Sequence, residues 1–160
     1  MNVQVGEGIG FRLALLGMLL PILAACAHTK PPPMLGIVGY NYTNRYIDSF
    51  SVGGQGGGNV FLSSATSGGG GTSCCIGYNP RRELPIKMKV RWTFGYKRDA
   101  QGNIVLPDET HETIAELRGP VPTDPQQLEV HFMPDGTVQL RITREYSLPL
   151  VVVDRSRALP

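Results

Sequence analysis

Ile86-Lys87-Met88-Lys89-Val90-Arg91-Trp92-Thr93-Phe94-Gly95-Tyr96-Lys97 is the stretch on which the fold turns. Ile86, Met88, Val90, Trp92, Phe94 and Tyr96 fall on one face, and Lys87, Lys89, Arg91, Thr93 and Lys97 on the other. Strict alternation has the period of a pleated strand and is incompatible with a helical face, so the segment predicts a half-buried strand. It turns at Asp99-Ala100-Gln101-Gly102-Asn103 into Ile104-Val105-Leu106. Further on, Leu128, Val130 and Phe132 alternate with Glu129, His131 and Met133. Pro134-Asp135-Gly136 then supplies turn chemistry before Val138, Leu140, Ile142 and Tyr146. Thr110 to Leu117 admits a short helix capped by Asp108, but Thr113 and the following Pro120 and Pro122 favour a strand.

Towards the N-terminus, Ile37 to Tyr42 and Tyr46 to Val52 are rich in β-formers and flank the turn Thr43-Asn44-Arg45, a further hairpin. Two glycine blocks follow, Gly53-Gly54-Gln55-Gly56-Gly57-Gly58 and Gly68-Gly69-Gly70-Gly71, and read as flexible or tightly turned loops. Asn59 to Ser64 between them is a possible edge strand, and Leu148 to Val153 one more apolar run. The reading is all-β: a sandwich of seven to eight antiparallel strands. Gly and Pro together supply 33 of 160 residues, which favours turns over helices. The length beyond the N-terminal segment suits one domain, 35–160.

The first thirty residues have a different grammar. Arg12 closes a weakly basic start, and Leu13 to Leu23 is apolar but too short for a spanning helix, which needs ~20 residues. Leu23-Ala24-Ala25-Cys26 matches a bacterial lipobox, where small residues allow cleavage and the next thiol takes the lipid. The expectation is therefore a signal peptide, 1–25, cleaved before a lipidated Cys26. At ~0.8 kcal/mol per buried CH₂, two or more acyl chains hold firmly. Residues 26–34, with Pro31-Pro32-Pro33 as a stiff spacer of ~3.1 Å per residue, form the tether. Ala27 in place of Asp favours the outer membrane, on its periplasmic face.

A net charge of +2 gives no basis for a nucleic-acid partner. Neither glycine block is followed by Gly-Lys-Ser/Thr, so neither is a phosphate loop. Cys74-Cys75 in an oxidising compartment is either a vicinal disulfide, permitted by the flanking Gly71 and Gly77, or a pair of reduced buried thiols. Without Cys-x-x-Cys or a βαβ pattern, a redox-active pair is disfavoured. Two adjacent Cys and a distant His make a poor metal set, and no Ser sits in a Gly-x-Ser-x-Gly elbow. His131 points with Glu129 to the non-core face, as an ordinary surface or half-buried histidine. The expectation is a non-enzyme with no catalytic, metal-binding or cofactor-binding residue. A basic stripe remains: Arg81, Arg82, Lys87, Lys89, Arg91, Lys97 and Arg98. It is either a solvated face that blunts edge pairing or a patch for an acidic partner or anionic headgroups.

Several blocks together carry a resemblance: Gly39-Tyr40-Asn41-Tyr42-Thr43, Ile47 to Val52, Gly54 to Asn59, Gly70-Gly71-Thr72-Ser73-Cys74-Cys75, Val90-Arg91-Trp92 and Val130 to Gly136. In this order they resemble the domain of unknown function 3304 family of small proteobacterial lipoproteins. The likeness covers most of residues 36 to 146; Ser147-Leu148-Pro149 departs from the family's Tyr-Pro-containing ending. Members of such families are often encoded beside type VI secretion effectors, notably lipases. The resemblance thus implies an immunity protein that neutralises a secreted lipase or phospholipase. Such binding needs a buried aromatic or Arg anchor, for which Tyr78, Arg81 and Arg82 beside the cysteine pair are the candidates, and Lys87, Lys89 and Arg91, on one strand face, are the candidate steering patch. The alternative is a structural lipoprotein docking on an envelope or secretion-machine complex.

Overall fold

The structure, a computed structural model, describes residues 31–153. The expected signal peptide and the expected lipid attachment at Cys26 lie outside the described residues. Ten strands and no helix make up the described chain. They are β1 (Met34–Asn41), β2 (Ile47–Val52), β3 (Gln55–Val60), β4 (Gly69–Gly77), β5 (Ile86–Phe94), β6 (Lys97–Arg98), β7 (Ile104–Leu106), β8 (Glu109–Leu117), β9 (Gln127–Phe132) and β10 (Val138–Thr143).

β5 is the strand its alternation predicts, with Ile86, Val90 and Trp92 buried and Lys87, Lys89 and Arg91 exposed. It stops at Gly95, which leaves Tyr96 outside the core at 55% exposure. β5 pairs with β8 through nine successive positions, from Ile86↔Leu117 to Phe94↔Glu109, so Thr110 to Leu117 is a strand.

All-β is right, but the two-sheet sandwich is not. β1-β4-β3-β2-β5-β8-β10-β9 form one closed barrel, with β6-β7 as a separate two-stranded sheet. Closure comes from two parallel pairings between strands distant in sequence, β1 with β9 and β8 with β10, so the strands are not all antiparallel. A closed sheet has one interior, filled here by Leu35, Ile37, Ile47, Phe50, Val52, Val90, Trp92, Leu117, Val130 and Phe132.

The glycine blocks are turns only in part: Gly53 and Gly54, both at positive φ, make the tight β2–β3 turn, while most of the remaining glycines lie in strands. Gly56, Gly57 and Gly58 belong to β3, and Gly69 to Gly71 open β4, which also carries Cys74 and Cys75. Packing accounts for one of them. A Cβ on Gly57 would run into the ring of Phe50, which meets Phe132 edge-on at 5.3 Å. The bare position lets a large aromatic lie inside a narrow barrel.

β1 is covered on both faces. Leu35 and Ile37 point inwards, while Val38, Tyr40 and Tyr42 form a second apolar cluster outside the barrel with Met133, Val151 and Val153. The segment 147–153 is therefore not a further strand; it runs irregularly across the outer face of β1 and β9.

Candidate functional site

Two constellations stand out, one sealed and one open. The sealed one starts from register. β1 and β9 run side by side with Val38 opposite Glu129 and Tyr40 opposite His131, all on the outer face. The covering segment 147–153 takes Glu129 and His131 to zero exposure. The Leu150 N–H donates to the Tyr42 hydroxyl oxygen at 2.8 Å, which directs the Tyr42 proton to His131 Nδ1, 3.0 Å away. His131 Nε2 then carries hydrogen and donates to Glu129 Oε2 at 3.2 Å. Glu129 Oε1 accepts from the Ser147 N–H at 2.8 Å and from the Tyr40 hydroxyl at 3.1 Å, and that hydroxyl also reaches Ser147 O at 2.8 Å. The Tyr40 and His131 rings stack at 4.4 Å.

The electrostatics follow from this geometry. Burial alone would raise the Glu129 carboxyl; the donors from His131 and Ser147 outweigh it and hold the group below its ordinary value. Burial, with Glu129 alongside, pushes the Tyr40 hydroxyl well up, and burial raises Tyr42 as well. Tyr42, His131 and Glu129 thus have the linkage order of a proton relay, but the hydroxyl at its head is made harder to ionise. The arrangement clamps segment 147–150 onto the barrel.

The open constellation lies where the barrel wall is thinnest. β8 pairs with β10 only at Leu117↔Leu140. Towards the other end of β8 the β9–β10 turn stands opposite, leaving a cleft of about 260 Å³ lined by Trp92, Phe94, His111, Thr113, Phe132 and Thr137, among others. Its wall is aromatic. His111 stacks on Trp92 at 5.3 Å, and Phe94 meets both rings edge-on. Trp92 is 6% exposed, and its buried Nε1–H has no hydrogen-bond partner among the described residues. His111 Nε2 lies 2.8 Å from Glu109 Oε1, near enough for an ion pair yet off the line of a hydrogen bond. Arg45 secures the rim: its guanidinium binds Glu109 at 2.7 Å, Pro107 O at 2.7 Å and Gly95 O at 3.2 Å, over the Phe94 ring.

The residues singled out by sequence are placed as follows. Cys74 and Cys75 are joined to each other by a disulfide on β4. Tyr78 is withdrawn into the core at 8% exposure and presents no surface anchor, whereas Arg81 and Arg82 beside it are exposed. Lys87, Lys89 and Arg91 share the outer face of β5, but a column of acids on β8 runs beside them. Lys89 bonds Glu112 at 2.9 Å, and Lys87 stands opposite Glu116, itself 2.6 Å from Arg118. Lys89 is thus partly neutralised where it lies, and the other cations of the stripe are exposed.

The cleft was not among the residues singled out, because Trp92 and Phe94 read simply as core. The signal present was His111, two strands' registers away in sequence but directly opposite Trp92. The clamp had a clearer one: Leu35 to Tyr42 is apolar on both alternating faces, the mark of a strand covered on both sides.

The family model of DUF3304, described as a protein of unknown function, matches residues 40–140. No curated protein and no solved structure matches the chain. The matched span runs from the end of β1 into β10 and includes the glycine-rich strands, the cystine, the cleft and the Glu129–His131 pair. It covers more than half of the sequence, and the chain belongs to the DUF3304 family.

Proposed function

We propose that this chain is a lipid-anchored binding protein of the periplasm, of the immunity type. Acylated at Cys26 and held at the outer membrane, it blocks a lipase or phospholipase effector that a type VI secretion system delivers, before sister-cell lipids are attacked. It acts by binding rather than by catalysis. The observation that carries the reading is the aromatic cleft beside β8, which opens towards the β9–β10 turn, at the barrel end opposite Met34, where the tether enters. A tethered module with a concave aromatic site at its far end is suited to catching a protein that arrives from outside.

The experiment is sibling competition. A strain lacking this protein is poisoned by siblings with an active secretion system and rescued by the intact gene; equal survival of knockout and parent removes the immunity reading. The second reading, a structural lipoprotein docking on an envelope or secretion complex, is favoured by the β6–β7 hairpin, which exposes Tyr96, Ile104, Val105 and Leu106. Under it, loss of the protein abolishes secretion and leaves the cells unharmed by siblings.

A further inference from the structure

The edge of β8 offers more than a pocket. Its nine residues are each matched to a residue of β5 on one side, but on the other side one pair joins it to β10, at Leu117. From Glu109 to Glu116 the second side of the strand is an open row of backbone donors and acceptors. Such an edge is complemented by another extended backbone. The cleft lies along it, with His111 and Thr113 of β8 on one side and Thr137 of the turn on the other.

The Trp92 Nε1–H is an independent sign of an occupant. It belongs to a side chain more than nine-tenths buried in the cleft wall, and buried indole N–H groups are normally paired. Glu112 lines the cleft and Glu109 contacts its His111, and each already holds a cation, Lys89 and Arg45 respectively. The chain outside the structure on the N-terminal side joins at the opposite end, where Met34 pairs with Gly77 and the Tyr78 N–H holds Pro33 O.

We propose that the cleft takes a short extended segment of a protein partner. The segment adds as a strand to the free edge of β8, seats one apolar side chain against Trp92, Phe94 and Phe132, and offers an acceptor to the Trp92 N–H. This rests on the partner-binding reading above and names how the partner is held.

The test pans the full-length chain in detergent against a phage library of seven-residue peptides and follows amide exchange with the selected peptides bound. The peptides are expected to share an apolar residue and to slow exchange between Glu109 and Glu116. Trp92→Phe, which keeps a ring but removes the N–H, weakens them at least fivefold. Thr137→Trp, on an exposed turn where folding is insensitive, blocks the cleft and weakens them more than tenfold. Absence of enriched peptides, protection of other strands, pairing of β8 with a second copy of the chain, or full binding to Thr137→Trp overturns the proposal. Failure here with a poisoned knockout sinks the cleft and spares the immunity reading; peptide binding at the cleft with an unharmed knockout does the reverse.

Discussion

Glu129 illustrates how one residue ties the tail to the barrel. It is fully buried, accepts three donors, and is the sole charged-type partner of the equally buried His131. Replacing it by Ala strands those donors, and an expected loss of about 3–5 kcal/mol follows from removing one member of a buried pair. Urea unfolding at pH 7 measures this. The pH dependence has a definite sign. The folded carboxyl sits below its ordinary 4.5, so its contribution is complete above that value and disappears as pH falls through the folded one. Wild type should therefore lose stability on acidification below about pH 4.5 more steeply than Glu129→Gln, which has nothing to protonate. A parallel acid limb in both proteins would refute the assignment. Tyr40→Phe, which withdraws a donor from Glu129 and Ser147 O, is expected to cost about 1–3 kcal/mol in the same assay. The sequence put Glu129 and His131 on the non-core face correctly. The two-sided apolarity of Leu35 to Tyr42 signals that this face is covered, but the cover itself was not legible, because it comes from Ser147 and Leu150, across a hairpin and with no periodic signal of their own.

At the scale of elements, β3 and β4 are where composition misled. Glycine-rich segments normally read as loops since glycine weakens strands, yet here β3 and β4 pair with their neighbours in the barrel, through registers that shift along the strand. The reason is interior volume. Phe50 needs Gly57 bare opposite it, and Gly39 on β1 is similarly crowded by Val60 and Phe50. Gly57→Val is expected to destabilise by about 1–3 kcal/mol through overpacking. Combining it with Phe50→Ala should cost less than the two separate losses added together, as measured by a double-mutant cycle on thermal or urea unfolding. Simple additivity would show that the ring and the glycine do not share that space. Where packing and periodicity agree, as in β5 and the β9–β10 hairpin, the elements were readable residue by residue. Tyr96 broke the pattern because β5 ends at Gly95, one residue before the alternation runs out. The covering segment makes its own prediction: a chain ending at Glu145 exposes Val38, Tyr40 and Tyr42 and should bind the dye ANS more strongly than the intact protein. Equal dye binding by both would mean the segment is not a cover.

At the scale of the whole molecule, the difference between the expected sandwich and the observed barrel comes down to two strand pairings. β1 with β9 joins segments separated by most of the domain, β8 with β10 skips over β9, and neither leaves a mark in local alternation. The strand inventory was therefore accessible from sequence while its closure was not. Closure also decides the function-bearing geometry, because the sparse β8–β10 seam is what opens the cleft, at the end away from Met34. The functional account requires that this end face the periplasm from a lipid anchor. The direct measurement is fractionation of cells producing the wild-type chain and Cys26→Ser with radiolabelled palmitate. The account predicts labelled wild type in the outer-membrane fraction, and for Cys26→Ser neither label nor normal maturation. A Cys26→Ser protein that matures normally and remains with the membrane would contradict it.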